Sequence, residues 1–173
     1  MKSIIALLFV LSLISCDHFR AATTTTTART ERVDSSTVKK NINSIYDSMY
    51  MAFKIKNLNA MLSYLADDGK YLGTDPTEIW TKKDLGEYLS KAYADTAKIE
   101  YTITDRTIQT DEDGKSAIVV EQFYYPVMSR KMQLRTISRA DYKDNRWLID
   151  FFSWNLVPKN EDLKALNASL EKK

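Results

Sequence analysis

The 173-residue chain contains one cysteine and one histidine, Cys16 and His18, and both lie near its amino terminus. An intrachain disulfide needs a second cysteine, so the hydrophobic core alone must stabilise the fold. Histidine is the commonest general base and metal ligand in proteins. The rest of the chain therefore has no Ser-His-Asp triad, and we expect no metal site there.

Charge and glycine content argue against two further classes of protein. The 25 lysines and arginines nearly balance the 23 acidic residues, so the chain offers no strong field to nucleic acid. Its four glycines form neither a phosphate-binding loop nor a dinucleotide fingerprint. We therefore expect no cofactor and no nucleic-acid partner.

Residues 1–15 predict a signal peptide. Lys2 precedes an apolar run from Ile4 to Ile14, which is shorter than the about 20 residues that span a bilayer but suits a signal-peptide core. Leu13-Ile14-Ser15-Cys16 resembles the lipobox of bacterial lipoproteins. The resemblance implies cleavage before Cys16, a lipid on its thiol, and a domain anchored to a membrane of the bacterial cell envelope, outside the cytoplasm. The alternative is an ordinary secretory signal with an incidental cysteine.

Residues 16–33 predict a solvated tether, and residues 34–173 predict one folded domain. The tether has five consecutive threonines and no apolar periodicity. In the domain, Asp34 to Thr37 can cap a helix that continues to about Phe53, a second helix brings Leu58 to Leu65 inward, and a third follows Thr81. The second helix is expected to stop at Asp67-Asp68-Gly69, and Tyr71-Leu72 to form a brief strand.

From Ala97 onward the apolar period changes to two, which predicts strands joined by hairpin turns. A short helix is expected after Asn160. Helices followed by a meander predict an α+β domain, in which an antiparallel sheet of about four to five strands curves around three N-terminal helices. The four long strands are predicted over residues 97–110, 116–128, 132–142 and 147–157.

This order, together with LADDGKYLGTDP and the closing RWLIDFFSWNLVP, resembles the SnoaL-like branch of the nuclear-transport-factor-2-like superfamily over roughly Lys39 to Val157. The resemblance implies a cone-shaped barrel whose curved sheet and helices enclose a pocket. Members include isomerases, dehydratases, cyclases and proteins without chemistry, so the resemblance leaves the activity open.

Asp75-Pro76 resembles the Asp-Pro pair that supplies the proton-abstracting carboxylate in the ketosteroid isomerases of this superfamily. The resemblance implies a catalytic Asp75 at the pocket, with burial raising its basicity and Tyr50 as the oxyanion donor. The sequence departs from that pattern, because the spacing before Asp75 is longer and Leu134 to Arg139 carries no second acid. Alternatively, the Asp75 carboxylate accepts backbone N–H groups in a turn.

Aromatic side chains with hydroxyl handles are typical of small-molecule pockets, although they also fill cores. Strand alternation sends either Phe151 with Ser153 or Phe152 with Trp154 towards the helices. Arg135, Arg139 and Glu121 form a separate group. The two arginines share one strand face, which is either a solvated outer face or an internal anion site. The predicted pocket residues are Tyr46, Tyr71, Trp80, Tyr124, Phe151 and Trp154.

Two functions from different classes fit these patterns. The first is a lipid-anchored, non-catalytic module that binds a small, partly apolar molecule. The second is a cofactor-free isomerase, dehydratase or cyclase with Asp75 as general base and Tyr50 as donor. Dimerisation through the outer sheet face is a third alternative, and the only predicted membrane contact is the lipid anchor.

Overall fold

The computed structural model describes residues 34–171. The predicted signal peptide, the lipidation site at Cys16 and the tether lie outside the described residues. No helix within residues 34–171 combines the length and the hydrophobicity that crossing a membrane requires.

Three helices precede the long strands, and each begins at a side-chain cap. Asp34 accepts hydrogen bonds from two amides at the start of the first helix, Asn57 accepts one at the second, and Thr81 forms a reciprocal capping box with Asp84 at the third. The helices are α1 (Ser35–Lys54), α2 (Leu58–Ser63) and α3 (Lys82–Tyr93), and a 3-10 turn (Asn160–Asp162) leads into the exposed α4 (Leu163–Leu170).

The α+β class is confirmed, and the sheet is mixed and has six strands rather than about four to five antiparallel ones. The strand order is β2-β1-β6-β5-β4-β3, and β1 runs parallel to β6 while all other neighbours are antiparallel. The strands are β1 (Leu65–Leu72), β2 (Ile79–Trp80), β3 (Thr102–Thr110), β4 (Ser116–Tyr125), β5 (Ser129–Lys143) and β6 (Arg146–Val157).

The expected end of the second helix is wrong. Residues 65–72 form β1, so Leu65 begins a strand, and Asp67 and Asp68 lie within it. Pairing with β6 supports this strand, because Leu65 lies opposite Ile149 and residues 70–72 lie opposite residues 151–153. The pairing is interrupted by a register shift before Lys70.

Register shifts also interrupt the pairs β3–β4, β4–β5 and β5–β6. Such bulges bend and twist a sheet, and the sheet curves without closing on itself. Pro126, which cannot donate to a sheet hydrogen bond, lies in the turn between β4 and β5, next to the shift that follows Phe123.

The helices bury their apolar stripes against one face of this sheet. Val38, Ile42 and Tyr46 of α1 are almost completely buried. On β4, the buried residues Ala117 to Phe123 alternate with exposed or half-buried ones, as expected for a sheet with one covered face. The covered face of β6 carries Phe152 and Trp154, which decides between the two alternatives that the sequence left open.

Candidate functional site

A cavity of about 530 Å³ opens between the sheet and the carboxyl-terminal halves of α1 and α3. Its walls come from both helices, from β1, from the turn between β4 and β5, and from β6. Two shallower and more open depressions, of about 790 and 970 Å³, lie on the protein surface. The deeper cavity, whose wall is largely aromatic, is therefore the candidate functional site.

Aromatic rings form most of the inner wall. The ring centroid of Phe53 lies 6.1 Å from that of Tyr93 and 6.3 Å from that of Trp154. At another side of the cavity, Trp80 stacks on Tyr88 with centroids 4.8 Å apart. Further apolar and aromatic lining residues are Met49, Tyr50, Met61, Leu65, Tyr71, Leu85, Leu89, Ile99, Tyr125 and Phe152.

Two polar atoms of this wall are buried and have no hydrogen-bond partner among the described residues. They are the hydroxyl oxygen of Tyr93 and Nε1 of Trp154. Burial raises the pKa of the Tyr93 phenol, so it remains a neutral donor at physiological pH. The wall of the cavity therefore contains two buried hydrogen-bond donors without partners among the described residues.

The mouth of the cavity combines exposed apolar side chains with charged ones. Val127 is 71% exposed and Tyr88 is 49% exposed. The charged lining residues are three lysines and two acids, namely Lys56, Lys91, Lys98, Glu78 and Asp95.

Tyr50 lines the cavity, but its hydroxyl points to the other side, where it donates to Oε2 of Glu121 at 2.5 Å. Glu121 is completely buried and accepts a second bond from Nε of Arg106 at 2.6 Å. Burial raises the pKa of Tyr50 well above its usual value, and the charge of Glu121 adds to the shift. The Tyr50 hydroxyl thus already has a hydrogen-bond partner within the protein and is not free to donate to a bound molecule.

Arg106 links this buried pair to α1. Its Nη1 donates to Asp47 at 2.7 Å and to the side chain of Asn43 at 3.1 Å. Burial opposes the charge of the guanidinium, but the carboxylates of Glu121 and Asp47 outweigh it and raise the pKa of Arg106. The group is a charge network inside the helix–sheet interface, with Glu121 on the covered face.

Tyr46, one helical turn before Tyr50, is buried beside this network and does not line the cavity. Its hydroxyl lies 2.6 Å from the Ser138 hydroxyl, which itself donates to the carbonyl of Val119. Tyr46, which was predicted as a pocket residue, is therefore a paired group of the core.

Asp75 lies outside the cavity, in the exposed turn between β1 and β2. Its Oδ1 accepts from the amide of Thr77 at 2.8 Å and from the Thr77 hydroxyl at 2.6 Å. These bonds hold the pKa of the Asp75 carboxyl below its usual value, whereas a buried base would have a raised one. This geometry corresponds to the alternative in which Asp75 caps its own turn.

The remaining predicted residues divide between the cavity and the outer sheet face. Tyr71, Trp80 and Trp154 line the cavity. Tyr124 and Phe151 alternate with its wall residues on β4 and β6 and do not line it.

Arg135 and Arg139 lie on the outer face of β5, so they form no internal anion site. Arg135 donates to Oε1 of Gln122 on β4. Arg139 forms a two-point ion pair with Asp150 of β6. The solvated outer face is therefore the correct alternative for both arginines.

Several lining residues were not predicted as site residues from the sequence. Tyr93 belongs to the same apolar stripe of α3 as Leu89, so its inward position was visible in the spacing. The lysines of the mouth carry no sequence signal that distinguishes them from other surface lysines. Within residues 34–171, no group of three or more potential ligands is arranged to hold a metal ion.

Comparisons with known proteins agree with this fold. The SnoaL-like domain family matches residues 42–149. The fold is similar to that of an NTF2-like protein of unknown function from Pseudomonas putida KT2440, with 11% identity over 73% of this chain and 91% of that chain and a TM-score of 0.62. No curated protein matches the chain.

Two further similar structures carry provisional enzyme names. One, from Novosphingobium aromaticivorans, is provisionally named a scytalone dehydratase, with 10% identity over 72% of this chain and 88% of that chain and a TM-score of 0.61. The other, from Streptomyces avermitilis, is a provisionally named dehydratase of the NTF2-like family, with 14% identity over 73% and 100% of the two chains and a TM-score of 0.60. At these identities the likeness shows the fold alone.

The family match begins in α1 and ends in β6, so it covers α3, the inner strands and most of the cavity wall. The same segment contains the complete buried charge network. The chain therefore belongs to the SnoaL-like domain family, within the NTF2-like fold.

Proposed function

We propose that this domain binds a small, partly apolar molecule in the cavity and does not transform it. The observation that carries the proposal is the unpaired state of the Tyr93 hydroxyl and Trp154 Nε1 in the cavity wall. A buried polar group without a partner costs about 1–3 kcal/mol. A bound molecule with oxygen acceptors would remove this cost.

The volume and walls of the cavity support the proposal. Small-molecule pockets typically enclose about 300–1,000 Å³ and combine apolar walls with a few polar groups. The cavity, at about 530 Å³, lies within this range, and its walls are mainly aromatic. Aromatic faces also favour stacking with flat apolar ligands.

The arrangement of acids supports binding over catalysis. Of the carboxylates that line the cavity, Glu78 accepts the amide of Asp75 at 3.0 Å and Asp95 accepts the amide of Ala97 at 2.8 Å. Both acids thus have structural partners. Asp75 itself lies outside the cavity and holds Thr77.

A titration with N-phenyl-1-naphthylamine, a neutral dye that fluoresces in apolar sites, tests the proposal. Leu89→Trp fills the cavity from α3, and we expect it to weaken dye binding at least about tenfold. Leu163→Trp, on the exposed α4, adds the same ring outside the cavity and should leave the affinity unchanged. Circular dichroism melts establish that both variants fold, since overpacking costs about 1–3 kcal/mol. Equal binding by wild type and Leu89→Trp would refute a cavity-bound ligand.

A catalytic function of the isomerase, dehydratase or cyclase type is the second candidate. The lining carboxylate of Glu78 favours it, since a base in the cavity is the minimum that such chemistry requires. The provisional names of the two dehydratase-like structures point in the same direction. Once a ligand is known, turnover that is lost in Glu78→Gln but kept in Asp75→Asn would identify the base. A ligand recovered unchanged after incubation with the wild type argues for binding alone.

We also propose that the domain is held at the bacterial envelope by a lipid on Cys16. The support is the sequence Leu13-Ile14-Ser15-Cys16 behind an apolar run that is too short to span a membrane. Metabolic labelling with a palmitate analogue tests this in bacterial cells. Label in the wild type that persists in Cys16→Ser would contradict it.

A further inference from the structure

The mouth of the cavity carries an excess of unpaired positive charge. Three lysines line it, one from the end of α1, one from α3 and one from the segment before β3. Among the described residues, none of them forms an ion pair with a carboxylate. Within residues 34–171, their side chains make one hydrogen bond, from Lys56 Nζ to the backbone carbonyl of Asp95. The three residues are Lys56, Lys91 and Lys98.

The two acids of the lining offset only part of this charge, and each is held by a backbone amide rather than by a lysine. The carboxylate of Asp95 accepts the amide of Ala97, so it is held in its own turn. Glu78 comes from the turn between β1 and β2, where its carboxylate accepts the amide of Asp75. An anion among the lysines would therefore meet three ammonium groups that are not paired with a carboxylate of the described residues, while both carboxylates of the lining are held by backbone amides.

The unpaired donors in the cavity wall also favour a ligand with hydrogen-bond acceptors. Trp154 Nε1 is a donor only, and the neutral Tyr93 hydroxyl is a donor with no acceptor in reach. The rest of the interior is mainly apolar. A matching ligand thus has an apolar body that carries oxygen acceptors and has a negative charge at one end.

We propose that the cavity binds an apolar organic acid, with its body among the aromatic rings and its anionic group among Lys56, Lys91 and Lys98. This inference rests on the proposed binding function and names the chemical class of the ligand. Fatty acids and ring-containing carboxylic acids share this chemistry.

A matched pair of dyes separates the contribution of the charge from that of the apolar body. 8-Anilinonaphthalene-1-sulfonate has the body of N-phenyl-1-naphthylamine plus one anionic group. In the triple variant Lys56→Gln/Lys91→Gln/Lys98→Gln, we expect the dissociation constant of the sulfonate to rise about tenfold, since each exposed charge contributes modestly. The neutral dye should change by less than about twofold, because its apolar contacts are intact.

The control variant Lys115→Gln/Lys131→Gln/Lys164→Gln removes the same net charge at exposed positions outside the cavity lining. We expect it to bind both dyes like the wild type. A control that weakens the sulfonate as much as the cavity variant would show a general charge effect and overturn the inference. Unchanged sulfonate binding in the cavity variant would also overturn it, with the proposed function intact if Leu89→Trp still blocks the neutral dye. If neither dye binds, both proposals fail.

Competition distinguishes the two sources of such an acid. Decanoate and 2-naphthoate are titrated against the bound sulfonate, each beside its neutral amide. Displacement by decanoate assigns a chain acid, and displacement by 2-naphthoate assigns a ring acid. Amides that compete as well as their acids would overturn the requirement for an anionic group.

Discussion

The two ends of the helix–sheet interface differ in whether their buried tyrosine hydroxyls are paired. At the sealed end, formed by Tyr46, Tyr50, Arg106, Glu121 and Ser138, both phenols have hydrogen-bond partners, although Nη2 of Arg106 has none among the described residues. At the cavity end, Tyr93 and Trp154 are buried without partners. The same residue type, tyrosine, is thus satisfied at one end and unsatisfied at the other. Because unpaired buried groups are costly, this difference agrees with the proposed binding of a ligand at the cavity end.

Helix α1 contributes to both ends. Tyr46 and Tyr50, four residues apart, reach the sealed end, while Met49 and Phe53, also four residues apart, line the cavity. This spacing places each pair on its own row of the helix surface. The charge network at the sealed end connects α1 to β3 and β4 through Asp47, Arg106 and Glu121.

The largest expected effect comes from breaking the ion pair at the sealed end. Arg106→Met leaves the Glu121 carboxylate buried without its cation, and we expect a loss of about 3–5 kcal/mol in the free energy of unfolding. Urea unfolding followed by circular dichroism measures it. Arg130→Met, at an exposed position, is the matched control and should change stability by less than about 0.5 kcal/mol.

A second substitution tests whether the unpaired charge of Glu121 causes the loss of stability. In Arg106→Met/Glu121→Gln, position 121 is neutral and still offers Tyr50 an acceptor, so we expect much of the lost stability to return. A double variant that is as unstable as the single one would mean that the packing of Arg106, not its charge, stabilises the sealed end.

The sequence predicted the fold best where the signal is local. The three long strands β4 to β6 alternate in burial or follow clear turns, and their approximate ranges were predicted. Only the end of strand β1, Tyr71-Leu72, was predicted, because a register shift breaks the period of this strand and its main partner, β6, lies far away in the sequence. The parallel pair and the six-strand order depend on that contact and were not predictable from local pattern.

The site was only partly predictable for the same reason. Alternation divides β6 into two sets of residues, but only the position of α1 decides that Phe152 and Trp154 face inward. The turn at Asp75 is local, and the acid-before-proline pattern correctly offered it as an alternative. The pairing of a buried hydroxyl depends on several distant elements, so the contrast between Tyr50 and Tyr93 has no sequence signature.

Removing a single tyrosine hydroxyl at the sealed end should lower the free energy of unfolding by a smaller amount. Tyr50→Phe removes the donor to Oε2 of Glu121, which then keeps Thr136 at 3.3 Å as its hydroxyl partner. We expect a loss of about 1.5–3 kcal/mol, since the acceptor is charged. Tyr46→Phe breaks a bond between neutral groups and should cost about 0.5–1.5 kcal/mol. If both variants unfold at the same urea concentration as the wild type, the sealed end does not depend on these bonds.

The smallest expected effect has the opposite sign. Tyr93→Phe removes a buried hydroxyl that has no partner among the described residues, and it keeps the ring that contacts Phe53. We expect the unliganded protein to gain up to about 1 kcal/mol, which corresponds to a rise of about 2–4 °C in melting temperature. Differential scanning calorimetry measures the change in melting temperature, which we expect to be positive for Tyr93→Phe and negative for Tyr50→Phe. A Tyr93→Phe variant that melts below the wild type would show that this hydroxyl is already satisfied in the empty cavity. The contrast between the two ends would then disappear, because a satisfied Tyr93 would no longer require a ligand.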